Sequence, residues 1–168
     1  MGFLDRLRGR DDGATAPEND DPDAVSGSGG DDDLDGIDAV EEIGTRRLTS
    51  EEEAALDTVR AGYAEHGIDP ADLDSVAAAY DRALDGQDGL DSSAVVEMLG
   101  TAVGDHLVVV GGYRWVVSTD PFGTDLAVEP PRRGVPVVTR MLVAVRWMGR
   151  EQGWIPGVVG HLARAGRG

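Results

Sequence analysis

The sequence predicts an α+β fold: N-terminal helices packed on a small antiparallel β-sheet, closed by one or more C-terminal helices and preceded by a disordered acidic tail. Three observations carry this expectation. Apolar residues recur every three or four positions between Leu56 and Val103, in stretches separated by glycine. The period then changes to alternation in "YRWVVSTD" and "DLAVEP", on either side of "DPFG". Residues 1–45 hold 14 acidic residues against 3 arginines, a net of −11 within the −17 of the whole 168-residue chain. Residues 1–48 are therefore assigned to the tail and 49–168 to one domain, a length that suits a single core.

The opening "MGFLDRLRGR" sets Phe3, Leu4 and Leu7 against Arg6, Arg8 and Arg10, a pattern suited to weak contact with an anionic membrane surface. Residues 11–45 are rich in Asp, Gly, Ser and Pro and hold no aromatic residue. Such a stretch repels itself and buries too little apolar surface to offset its ordering entropy. Leu34, Ile37, Val40 and Ile43 form a faint stripe within it. That stripe suits a short acidic helix docking on residues 100–168, where 8 arginines face 5 acids.

In the domain, Thr49 with Glu52, or Ser50 with Glu53, makes a capping box for a first helix. Leu56, Val59 and Tyr63 form its inner face and Gly67 its stop. A second helix takes Asp69 as cap and Pro70 at its first position, turns Leu73, Val76, Ala77, Tyr80 and Leu84 inward, and stops at Gly86. A third starts near Asp91 or Ser92 and buries Val95, Leu99, Ala102 and Val103. Its Gly100 and Gly104 lie four apart and invite close approach of another element. The glycines of "VVVGG" then turn helix into strand. Asp120, Pro121, Phe122 and Gly123 read as a hairpin turn, and "VPVV" as a third short strand. Thr139 caps a helix that Gly153 ends, although its β-branched content would also suit a strand. A last short helix begins near Pro156.

Composition narrows the chemistry. There is no cysteine, which removes disulfides, thiolate nucleophiles and Cys-based metal sites and fits a cytoplasmic protein. The apolar stretches are too short or too interrupted for stable membrane insertion. No lysine is present, and the acidic balance argues against nucleic acid. Arg114, Arg132, Arg133, Arg140, Arg146 and Arg150 do interleave with Trp115, Trp147 and Trp154, as in a single-strand stacking platform. Trp115 and Trp147 nevertheless fall where large aromatics fill a core.

Of the three histidines, only His106 adjoins an acid, Asp105. Neighbours on a helix point in different directions, so the two are no ready-made dyad. No nucleotide-binding or zinc spacing occurs, and no cofactor is implied. One metal pattern does occur. Asp31, Asp33, Asp35, Gly36, Ile37 and Glu42 follow the spacing of a calcium-binding EF-hand loop. Asp38 occupies a position that is normally apolar, "AVSGSGG" cannot form an entering helix, and no second loop pairs with this one. The tail reading is preferred, with no metal site.

At "LGTAVGDHLVVVGGYRWVVSTDPFGTDLAV" the chain resembles the bacterial domain of unknown function 3806 family, over about residues 70–152. The matching positions are Gly100, Gly104, Asp105, Gly112, Trp115, Asp120, Gly123 and Asp125. The resemblance implies a small α+β domain and assigns no activity or role to those residues. The expected function is a non-catalytic cytoplasmic domain that binds a protein partner or itself, with the acidic tail as solubiliser or mask. Apolar side chains exposed beside Arg132, Arg133 and Arg140 would favour that expectation. The alternative is a small-ligand site or enzyme in which Asp105, His106 and Asp120 converge near Trp115. Calcium binding by the tail comes third.

Overall fold

Thr49 starts the first helix as a capping box requires. Its hydroxyl accepts from the Glu52 amide, and the Glu52 carboxylate accepts from the Thr49 amide at 2.8 Å. In the computed structural model, which describes residues 43–87 and 89–168, this helix (α1) spans Ser50–Arg60. A single 3₁₀ turn, Tyr63–His66, follows it and ends at Gly67 in the left-handed conformation, φ 60°. The expected helix thus breaks in two, with α1 stopping before Gly67. Next come α2 (Leu73–Leu84), α3 (Ser92–Gly111), β2 (Arg114–Asp120), β3 (Gly123–Glu129), α4 (Thr139–Met148) and α5 (Trp154–Arg167). A three-residue strand, β1 (Gly44–Arg46), precedes them all.

The architecture is α+β. Helix α3 is the axis of the domain: Val95, Leu99, Ala102, Val103 and Leu107 are buried along it, and α1, α2, α4, α5 and the sheet all pack on it. Between α2 and the C-terminal helices, Tyr80 meets Trp147 and Trp154 edge-on, with ring centres 6.0 and 5.7 Å away. By length and composition α3 is, among the described residues, the one helix apolar and long enough to cross a membrane. Here 61% of that apolar window is buried inside the domain.

The sheet is antiparallel in the order β1-β2-β3. The hairpin falls at the expected turn, where the Asp120 carboxylate accepts from the amides of Phe122 (2.8 Å) and Gly123 (3.0 Å). The third strand is not the expected one. Val135–Val138 contributes only an isolated bridge, Val137 to Val128, because Pro136 has no amide to donate and Val138 already caps α4. Residues 44–46, assigned above to the tail, fill the place by pairing with Val117–Thr119. The folded chain therefore begins before the expected boundary at residue 49.

Three helix starts also differ. Asp72, not Asp69, caps α2 by accepting from the Asp74 amide. The Asp69 carboxylate instead accepts from Ala71 in a tight turn, which keeps Pro70 outside the helix. Residues 139–148 are helical, yet Thr139 is the first helical residue, not its cap, and its hydroxyl is buried without a partner. Gly153 stands at the start of α5 (φ 66°) instead of ending α4. Pro156 lies inside the first turn of α5, where a missing amide costs nothing.

Candidate functional site

Asp105 has the most polar partners of any described buried residue. It sits on α3 with 6% of its surface exposed and is satisfied from three other elements. Arg60, at the end of α1, donates from Nε at 2.9 Å and from Nη2 at 2.6 Å, a two-pronged clasp of the carboxylate. Tyr63 donates its hydroxyl at 2.9 Å and Trp115 its indole Nε1 at 2.9 Å. Two carboxylate oxygens offer about four acceptor directions, and all are taken. The Asp105 hydrogen bonds hold the Arg60 guanidinium above its usual pKa. Burial, reinforced by the Asp105 charge, raises the Tyr63 phenol well above its usual range, so that it stays a donor.

Helix α3 makes room for this knot. A Cβ on Gly104 would collide with the six-membered ring of Trp115, so glycine lets the indole lie flat on the helix and reach Asp105. One turn earlier, a Cβ on Gly100 would stand 2.8 Å from the Arg140 Cα, so α4 crosses there backbone to backbone. Gly112 ends α3 in the left-handed conformation, φ 73°, and aims the chain into β2. Asp120 and Gly123 build the hairpin, and Asp125 lies exposed opposite Ser118.

The residues proposed to converge near Trp115 do not. Asp105 bonds Trp115, but His106 turns to another side of α3, where its Nδ1 lies 2.8 Å from the Pro70 carbonyl ahead of α2. Asp120 is five residues along β2 from Trp115, about 16 Å at the usual rise per residue. Arg60 and Tyr63, the other half of the knot, were missed by sequence reasoning. A signal was available: a tryptophan N–H and a tyrosine hydroxyl expected in the core each need an acceptor, and Asp105 is an acid set among the apolar residues of the expected third helix. Among the described residues no group of three or more His, Asp or Glu is placed to hold a metal ion. The calcium-loop residues 31–42 lie outside the described residues, as do the membrane-contact residues 1–10.

The surface around α4 has a different character. Thr139 and Val143 face the core, while Met141, Val145 and Met148 stand on the opposite side, 42%, 49% and 72% exposed. Val135, in the preceding loop, is also exposed. That loop, Pro130–Gly134 with Arg114 and Glu129, borders a cleft of about 410 Å³ that carries three arginines. Two of them are occupied: Arg114 donates to Glu129 at 2.7 Å, and Arg132 to the Gly168 carbonyl.

A saturated buried carboxylate on α3 and an apolar outer face on α4 are the two most distinctive features of this small α+β domain. The family described as a domain of unknown function (DUF3806) matches residues 72–156, and the chain belongs to that family. The match runs from the cap of α2 into the first turn of α5, so it includes Asp105 and Trp115 but not Arg60 or Tyr63. No curated protein and no solved structure matches the chain.

Proposed function

We propose that this chain is a non-catalytic protein-interaction domain of the cytoplasm that docks through the outer face of α4. The observation that carries the reading is the apolar outer face of α4, where Met141, Val145 and Met148 stand exposed on the side away from buried Val143. Large apolar side chains grouped at a surface mark a contact site. Arg132 and Arg133 line one shallow cleft with exposed Val135, which supports a polar rim on that side of the surface. The lack of cysteine fits a reducing compartment. The net −11 of residues 1–45 would keep such a chain soluble and set how fast charged partners approach.

The test is site-specific photo-crosslinking in the native host, with the photoreactive residue placed at Met148 and, as control, at Phe122 on the hairpin tip. The expected outcome is a defined adduct with a protein at position 148 that is absent at 122 and lost when Val145→Asp is added. Equal, diffuse labelling at both positions would sink the reading.

A further inference from the structure

We propose that the cleft between α1 and the start of β2 binds a small organic acid, its flat apolar body against Trp115 and its single carboxylate on Arg47. None of the residues lining this cleft lies on α4, so it stands apart from the docking face. The space is about 660 Å³, within the usual range for small-molecule sites. Leu48, Leu56, Val108 and Trp115 supply its apolar lining.

The polar knot gives this cleft a rigid wall. The Trp115 ring is seated on Gly104, and its Nε1 is fixed on Asp105 at 2.9 Å. The same carboxylate holds Arg60 through Nε and Nη2, while Asp57 accepts from Nη1 at 2.8 Å. Both Trp115 and Arg60 line the cleft. An indole and a guanidinium are thus oriented before any ligand arrives, which removes the ordering cost that weakens binding to mobile side chains. Backbone proximity and apolar contact suffice to attach α4 to α3, so attaching a helix there does not by itself require a buried carboxylate.

Charge selects the head group. The chain holds 32 acidic residues against 15 arginines, whereas the cleft reverses that balance, with Arg47, Arg60 and Arg114 against Glu53 and Asp57. Arg60 is held by Asp105 and Asp57, and Arg114 by Glu129, so these two contribute a fixed positive field. Arg47 pairs with no carboxylate among the described residues. Its planar fork is therefore open to a two-pronged bond with a carboxylate from outside. Glu53 on the rim repels a second anionic group, so the cleft suits one carboxylate and disfavours two. The indole and the aliphatic lining favour a flat hydrocarbon body, which gains both buried area and ring stacking.

With only three tryptophans in the chain, the indole N–H signals of the ¹⁵N-labelled full chain read the cleft directly. Phenylacetate and indole-3-acetate are titrated in, with phenylacetamide and benzylamine as neutral and cationic counterparts. At least one acid is expected to shift the Trp115 signal saturably, with a Kd below about 1 mM, while Trp147 and Trp154 stay in place. Phenylacetamide should bind about tenfold more weakly than phenylacetate and benzylamine should leave the Trp115 signal unmoved, since each lacks the anionic head. Arg47→Gln should weaken the acid about tenfold, and Glu53→Gln should tighten it about threefold by removing a repulsive charge. Loss of folding cannot produce that gain. No saturable shift with either acid up to about 10 mM overturns the proposal. So does equal binding of phenylacetamide, or a Trp115 shift that Arg47→Gln leaves unchanged.

Discussion

Helices α1 and α4 both pack on α3, and their outer faces differ. On α1 only Leu56 is buried, and the solvent side carries Glu51, Glu53, Asp57 and Thr58. On α4 the solvent side carries Met141, Val145 and Met148. Their inner attachments differ as well. The α1 side is tied to α3 by a polar knot in which Arg60 and Tyr63 hold Asp105. The α4 side is held by backbone proximity at Gly100 and by apolar contact through Val143. The comparison separates what the fold demands from what it does not. A helix can pack on α3 with no large apolar side chain on its exterior, as α1 does, so the apolar exterior of α4 is not a requirement of packing.

The largest expected effect comes from cutting the polar attachment. Asp105→Ala leaves a buried phenol and an indole N–H without their acceptor and the Arg60 guanidinium with Asp57 alone, and each buried donor left unsatisfied costs about 1–3 kcal/mol. Urea denaturation should show it as a fall in the midpoint, and a loss under 1 kcal/mol would mean that water replaces the carboxylate with ease. The same knot has a pH signature. The Tyr63 phenol is raised above the 10.0 of an unfolded chain, so its contribution is complete below pH 10 and is lost as pH rises further. Asp105→Ala should reduce that alkaline loss.

A smaller effect is expected on the apolar attachment. Gly100→Val forces α4 away from α3 because the new side chain meets the Arg140 backbone, and overpacking of this kind costs about 1–3 kcal/mol. If the comparison is sound, this variant also shifts the α4 face and weakens whatever docks there, whereas Asp105→Ala destabilises the domain without changing that face. The smallest effect lies at the start of α1. Thr49→Ala removes a cap worth about 1 kcal/mol. The Glu52 carboxyl, held down to about 2 by the Arg46 guanidinium and then by the Thr49 amide, gives a contribution that is present above pH 4.5 and lost as pH falls toward 2. An acid titration that is the same in Glu52→Gln and the parent would assign that loss to other carboxylates.

Most elements of the fold are legible in local chemistry. The Thr49–Glu52 box, the Asp91 cap, the Asp120–Gly123 turn and the glycine pair on α3 each announce themselves within a few residues. The elements that escape are those decided at a distance. Three residues of β1 are too few for alternation to register, and only β2 makes them a strand. Asp69 and Asp72 are equally good caps on paper, and the turn closed by Ala71 decides between them. The β-branched residues of α4 favour a strand locally, but packing on α3 at Gly100 and Val143 overrides that preference. The knot is half legible for the same reason. Asp105 and Trp115 are ten residues apart, while Arg60 and Tyr63 lie 45 and 42 residues before Asp105, and no spacing rule connects them.

The position of β1 gives the domain a mechanical weak point. This edge strand is joined to β2 over three residues, across a sequence gap of 71 between Arg46 and Val117. A pull transmitted through the N-terminal segment loads the seam first and unzips it one pair at a time. Side chains tie the strand further, Thr45 to Glu129 of β3 and Arg46 to Glu52 of α1. Opening so limited belongs to the low end of a protein's local unfolding energies. The domain could thus yield several residues of slack to a tethered N-terminus and take them back while its core stays folded.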